Sequence, residues 1–141
     1  MDHIVYLDAK EKELEKLKSA QKCMIIRGAT GRKLPYGRVH SGEVLWFVEN
    51  NGDALVRYCA TVKSVFNSEK LTEDESQKLI LCNQAKLCLS LKQINRWSKK
   101  RYLVLIEVEN FKKISPFIVD RSNYGNMDDW IPVEDIERAK K

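Results

Sequence analysis

Histidine is scarce in this chain, with only His3 and His40 among 141 residues. The four cysteines, Cys23, Cys59, Cys82 and Cys88, form no C-x-x-C pair and lie apart from the histidines. A zinc site needs about four ligands, usually in close pairs, so the pattern excludes a sequence-encoded zinc motif. Each cysteine sits among apolar neighbours ("KCMII", "RYCATV", "LILCN", "KLCLSL"), which reads as buried, reduced thiols in a cytoplasmic protein. Long apolar runs are missing too. None approaches the ~20 residues of a membrane span, so no membrane partner is expected. The opening "MDHIVYLDAKEKELEKLK" has no basic leader followed by an apolar stretch, and no signal peptide is expected there. Nucleotide-binding signatures are also lacking. "GATGRK" places too few residues between its glycines for G-x-x-x-x-G-K, no hydroxyl residue follows Lys33, and no G-x-G-x-x-G occurs. No cofactor is expected.

What the chain does contain is ordinary globular material, 43% hydrophobic and 32% charged, with a net charge of +5. That length suits one domain over residues 1–141 with a sizeable core. The positive charge is unevenly placed. The tail carries the acids Asp128, Asp129, Glu134, Asp135 and Glu137. In contrast, "RGATGRKLPYGR" strings Arg27, Arg32, Lys33 and Arg38 through small and turn-forming residues with no acid among them. A second basic cluster, "RWSKKR", spans Arg96 to Arg101.

Hydrophobic patterning predicts a leading helix over 8–22, capped by Asp8, with an apolar stripe from Leu14 and Leu17. A short buried strand follows over 23–27. "VLWFVE" over 44–49 and "ALVRYCATVKSVF" over 54–66 read as a hairpin closed by "NNGD", since Asn and Gly tolerate positive φ. Thr72 and Glu75 form a capping-box pattern that opens a second helix, and 90–97 reads as a third. "RYLVLIEVENF" over 101–111 is the strongest strand. "ISPFIVDRS" is a further extended piece whose pairing Pro116 should interrupt, and "VEDIERAKK" ends the chain as a short frayed helix. This order argues an α+β fold with an antiparallel or mixed sheet, curled towards a barrel.

The order of elements, with "SGEVLWFVENNGDALVRYCATVKSV" and later "RYLVLIEVENFKKISPF", resembles the PUA-like superfamily, and within it the ASCH and EVE domains. The resemblance implies a small pseudo-barrel with helices packed around its mouth. It also implies a cleft lined by the first strand, the basic loop and the helical insertion. Domains of this kind commonly bind RNA or modified bases. The expected partner is therefore RNA or a single-stranded or modified nucleic acid.

The residues expected to bind it are Arg27, Arg32, Lys33 and Arg38 for charge, Tyr36 and Trp46 for stacking, and Trp97 with Arg101 from the second cluster. Each has a plainer reading. The loop charges would be solvated, and Trp46 and Trp97 would be core. Trp130 would pin the tail to the body. A few ASCH members hydrolyse acetylated cytidine with a lysine, a threonine and a glutamate, which makes a small amidohydrolase the alternative. Here Lys22 stands in the lysine's place, but Ile25 occupies the threonine position and the nearest following acid, Glu43, lies at a turn. No catalytic set is carried over.

Overall fold

The computed structural model describes residues 1–124 and 128–141. Its strands are β1 (Asp2–Leu7), β2 (Met24–Ala29), β3 (Val44–Glu49), β4 (Leu55–Asn67), β5 (Tyr102–Ile118) and β6 (Trp130–Val133). Its helices are α1 (Glu13–Lys18), α2 (Glu73–Cys82), α3 (Gln84–Leu87) and α4 (Leu91–Ser98), followed by a 3-10 turn at Ile136–Ala139. The strands make one mixed sheet in the order β2-β5-β4-β3-β1-β6, in which β1 and β3 are parallel and the other pairs antiparallel. The architecture is the expected α+β one, a curled half-barrel with flanking helices.

The two-residue period of the strands sorts the core. Val5 and Leu7, Ile25, Leu45 and Phe47, and Val104 and Ile106 face one way and meet with Trp130 inside the curl. Their sequence neighbours face outward. Met24, Ile26, Leu103 and Leu105 pack under Ile80, Leu87, Leu89 and Trp97 of the helical insertion. Ile4, Val48 and Val56 are covered by Val119, Val133 and Ile136 from the tail. Position 27 continues the inward series of Ile25, so β2 aims an arginine into the mouth of the half-barrel.

Several boundaries differ from expectation. The leading helix is confined to 13–18. Asp8 Oδ1 instead accepts the N–H groups of Lys10 and Glu11, and Lys12 and Ala20 take positive φ on either side. Residues 2–7, for which the sequence pattern predicts no element, form an interior strand between β3 and β6. β5 is one strand from Tyr102 to Ile118 and not two pieces, and its pairing with β4 is interrupted at Pro116 as expected. The residue sits where the pairing with β4 shifts register between Val56 and Tyr58, so its missing N–H leaves no ladder position empty. Two of the three helices in the insertion, α2 and α4, start with reciprocal capping boxes, Thr72 with Glu75 and Ser90 with Gln93. The β3–β4 hairpin turns as expected, with Gly52 at φ 89°. No helix among the described residues is long and apolar enough to cross a membrane.

Candidate nucleic-acid interface

β2 and β6 are the two edges of the sheet, yet Arg27 on β2 lies with its guanidinium carbon 5.8 Å from the centroid of the Trp130 ring on β6. Arg27 Nη1 donates to the Ile26 carbonyl at 2.8 Å and Nη2 to the Tyr6 carbonyl at 2.7 Å. Its Nε is enclosed without a hydrogen-bond partner among the described residues. Burial works against the arginine's charge, while Glu13 and Asp129 support it.

A cleft opens above this residue, with an outer compartment of about 160 Å³ and an inner one of about 40 Å³. They share Arg27, Arg96, Trp97 and Asp129. β2 contributes Arg27 and Gly28, the following segment Lys33, Leu34 and Pro35, α4 and its exit Arg96, Trp97 and Lys100, and the β6 entry Asp128, Asp129 and Trp130. Gly28 lets these parts close up. A Cβ there would lie 2.7 Å from Leu103 Cδ2 and 3.1 Å from both Lys100 Cβ and the Tyr102 carbonyl oxygen. The Arg96 guanidinium stacks 4.5 Å above the Trp97 ring.

The charge of the cleft has two poles. Four cations (Arg27, Lys33, Arg96 and Lys100) face two acids, Asp128 and Asp129, in the outer compartment. The inner compartment sets Asp8, Glu13 and Asp129 against Arg27 and Arg96, with the amides of Asn50 and Gln93 beside them. Such a site can take an anion at its rim and hydrogen-bond donors behind it. Among the described residues, no group of three His, Cys, Asp or Glu side chains is placed to hold a metal ion.

Of the residues expected from sequence, the cleft gathers Arg27, Lys33 and Trp97. The others lie elsewhere, and the charges between β2 and β3 do not converge as a ligand-wrapping loop. Arg32 sits over the rings of Tyr36 and Tyr102, 5.7 and 5.6 Å from their centroids. Tyr36 meets Tyr102 edge-on and donates its hydroxyl to the Ser68 carbonyl, so the ring serves packing. Arg38 is exposed and lines no part of the cleft. Arg101 is spent on the backbone, donating to the carbonyls of Leu71 at 3.0 Å and Ser98 at 3.1 Å. Trp46 packs edge-on against Phe117 beside a separate hollow of about 430 Å³ whose only cation is Lys112. Arg96 and Lys100 belong to the basic cluster of the sequence, but only the phase of α4 and the path of the chain as it leaves Ser98 show that they, and not Arg101, face the cleft.

No protein-family model matches the sequence, and no curated protein does. Solved structures match in shape. The crystal structure of an ASCH protein from Zymomonas mobilis superposes with a TM-score of 0.69 at 12% identity, covering 97% of this chain and 90% of that one. A mutant form of the same protein gives 0.70 over 97% and 93%. The chain therefore has a PUA-like fold of the ASCH type. At 12% identity the likeness is one of fold, and the cleft's chemistry has to be read from this chain's own residues.

Proposed function

We propose that this protein is a nucleic-acid-binding module that holds a single-stranded RNA segment, or another unpaired or modified nucleotide, in the cleft at Arg27. The observation that carries the reading is the convergence of Arg27, Lys33, Arg96 and Lys100, from separate elements, on one hollow between two tryptophans. A phosphate belongs at that rim, where several cations replace its counterions. The carboxylates of Asp8 and Asp129 suit the amino or ring N–H groups of a base. The small volume suits one extruded nucleotide and not a duplex. The test is a titration with single-stranded RNA and single-stranded DNA at several salt concentrations. Affinity should fall as salt rises. Absence of binding at low salt ends the reading, as does affinity unchanged in the Lys33→Ala/Lys100→Ala double variant.

A second reading, hydrolysis of a small amide on a modified nucleoside, has one observation in its favour. Burial lowers the pKa of Lys22 to about 8, and its partner Glu13 lines the inner compartment. Against it, Lys22 itself lines neither compartment and donates to the Leu87 carbonyl at 2.7 Å. Incubation with acetylated cytidine separates the two, because only an enzyme releases acetate.

A further inference from the structure

His3 is fully buried and follows the inward phase of Val5 and Leu7 on β1. Both ring nitrogens are engaged. Trp130 Nε1 donates to His3 Nδ1 at 3.1 Å, and His3 Nε2 lies 2.9 Å from Glu43 Oε1. Because Nδ1 accepts, the ring is the neutral tautomer with its proton on Nε2, donated to Glu43. Trp130 in turn lies under the Arg27 guanidinium and lines the cleft. A continuous series of contacts thus runs from Glu43 through His3 and Trp130 to Arg27.

We propose that His3 is a positioning residue for the cleft: as a neutral acceptor it fixes the Trp130 indole, and the indole fixes the Arg27 guanidinium. The inference rests on the nucleic-acid reading of that cleft. Protonation of Nδ1 would set two donors against each other, the new N–H of His3 and the N–H of Trp130. The indole then has to turn away from His3, and the surface under Arg27 goes with it.

The surroundings keep the ring neutral near pH 7. Burial lowers the pKa of His3 from 6.5 as the largest influence, and the Met1 amino group acts the same way. Glu43 and Asp2 oppose them. His40 shares the Glu43 carboxylate, its N–H donating to Oε1 at 2.8 Å and its Nδ1 lying 3.8 Å away. Protonation therefore belongs below the ordinary histidine value of 6.5.

The direction of the effect is diagnostic. General electrostatics strengthens phosphate binding as pH falls, because the protein gains positive charge. Release of Trp130 does the reverse. The experiment measures affinity for a fluorescein-labelled ten-nucleotide single-stranded RNA between pH 8 and pH 5. In parallel, NMR follows the Trp130 indole N–H and the Arg27 Nε–H of the same protein. Wild type should lose affinity about tenfold on acidification, the worth of roughly one hydrogen bond. Both resonances should move with one midpoint below 6.5. His3→Asn keeps an acceptor near Nδ1 without titrating, so its affinity should not fall on acidification. His3→Leu should bind weakly at every pH. Wild-type affinity that is flat or rises on acidification overturns the proposal. So does a Trp130 resonance that moves while Arg27 stays fixed, a comparison that needs no variant to fold. If the RNA binds at no pH, the nucleic-acid reading fails, and the NMR arm alone decides whether His3 positions the two cleft residues.

Discussion

Arg27 reaches across the open side of the half-barrel: its Nη2 donates to the Tyr6 carbonyl at 2.7 Å, joining edge strand β2 to β1 although the two share no ladder. One side chain thereby does two things. It clasps the curl, and it places a buried positive charge at the base of the cleft.

The two roles predict separable effects. Arg27→Met keeps the aliphatic stem and removes the guanidinium. RNA affinity should fall by roughly 10- to 100-fold, the range for charge-assisted hydrogen bonds. Stability should change by no more than about 2 kcal/mol, because losing an expensive buried charge offsets the two carbonyls left without their donor. Urea melts and RNA titrations on the same preparation check both. A large loss of stability with affinity intact would make Arg27 a clasp alone.

Salt dependence distinguishes the cations that face the cleft from those that do not. Each phosphate contact on a single strand contributes a slope of about −0.7 in log K against log salt. Lys33→Ala and Lys100→Ala should each remove about that much from the slope. Arg38→Ala should leave it unchanged. Arg101→Ala should also leave it unchanged while lowering the melting temperature, since the Leu71 and Ser98 carbonyls lose their donor. An Arg38 slope change equal to that of Lys33 would move the binding surface out of the cleft.

Much of the fold was written in local chemistry. "VLWFVE" is β3 residue for residue, and the Thr72–Glu75 and Ser90–Gln93 boxes start α2 and α4 because the capping side chains decide helix starts locally. The leading helix is shorter than its Glu- and Lys-rich periodicity predicts, since that pattern is blind to the positive φ at Lys12 and Ala20. β1 was passed over although "HIVYL" carries strand-forming residues. Its reality depends on pairing with β3 and β6, which are distant in sequence.

The site was less legible for the same reason. Arg27 and Lys33 stand out in the sequence as members of the first basic cluster, and Trp97 as the aromatic residue of the second. Arg96 depends on the phase of α4, Lys100 on the turn that leaves it, and Trp130 on the curl that brings β6 to β2. One signal was available: an arginine at an inward position of an otherwise apolar strand, after "CMII", is an expensive placement that calls for a reason.

Gly28 should be the least replaceable of the glycines near the cleft. Gly28→Ala puts a methyl group 2.7 Å from Leu103 Cδ2 and 3.1 Å from Lys100 Cβ and the Tyr102 carbonyl. The Leu103 tip can give way, but the β5 backbone cannot do so freely. A loss of about 1–3 kcal/mol is expected from such overpacking. Gly31→Ala meets nothing within 4 Å and should stay within about 0.5 kcal/mol of wild type. Thermal melts of the two variants side by side test this, and equal losses would show that the tight β2–β5 approach is not limiting.

Lys22 supplies a prediction whose sign is fixed by linkage. The residue is 2% exposed, donates to the Leu87 carbonyl, and has Glu13 only at 3.8 Å. Burial lowers its pKa from 10.5 to about 8. Between those values the unfolded chain holds a proton that the native state does not, so this group makes stability rise with pH across that window. Below pH 8 the native amine is charged and buried, at a cost of roughly 3 kcal/mol. Lys22→Met preserves much of the volume and removes the charge, leaving the Leu87 carbonyl without its donor at a cost of about 1–3 kcal/mol. The variant should therefore be at least as stable as wild type at pH 7, and its advantage should shrink steadily towards pH 10. Urea melts of both proteins at pH 7, 8, 9 and 10 give the difference directly, free of the tyrosines and cysteines that titrate in both. Parallel stability curves would mean that the amine is already neutral at pH 7 or stays charged throughout, and the account of a destabilising buried lysine would be wrong.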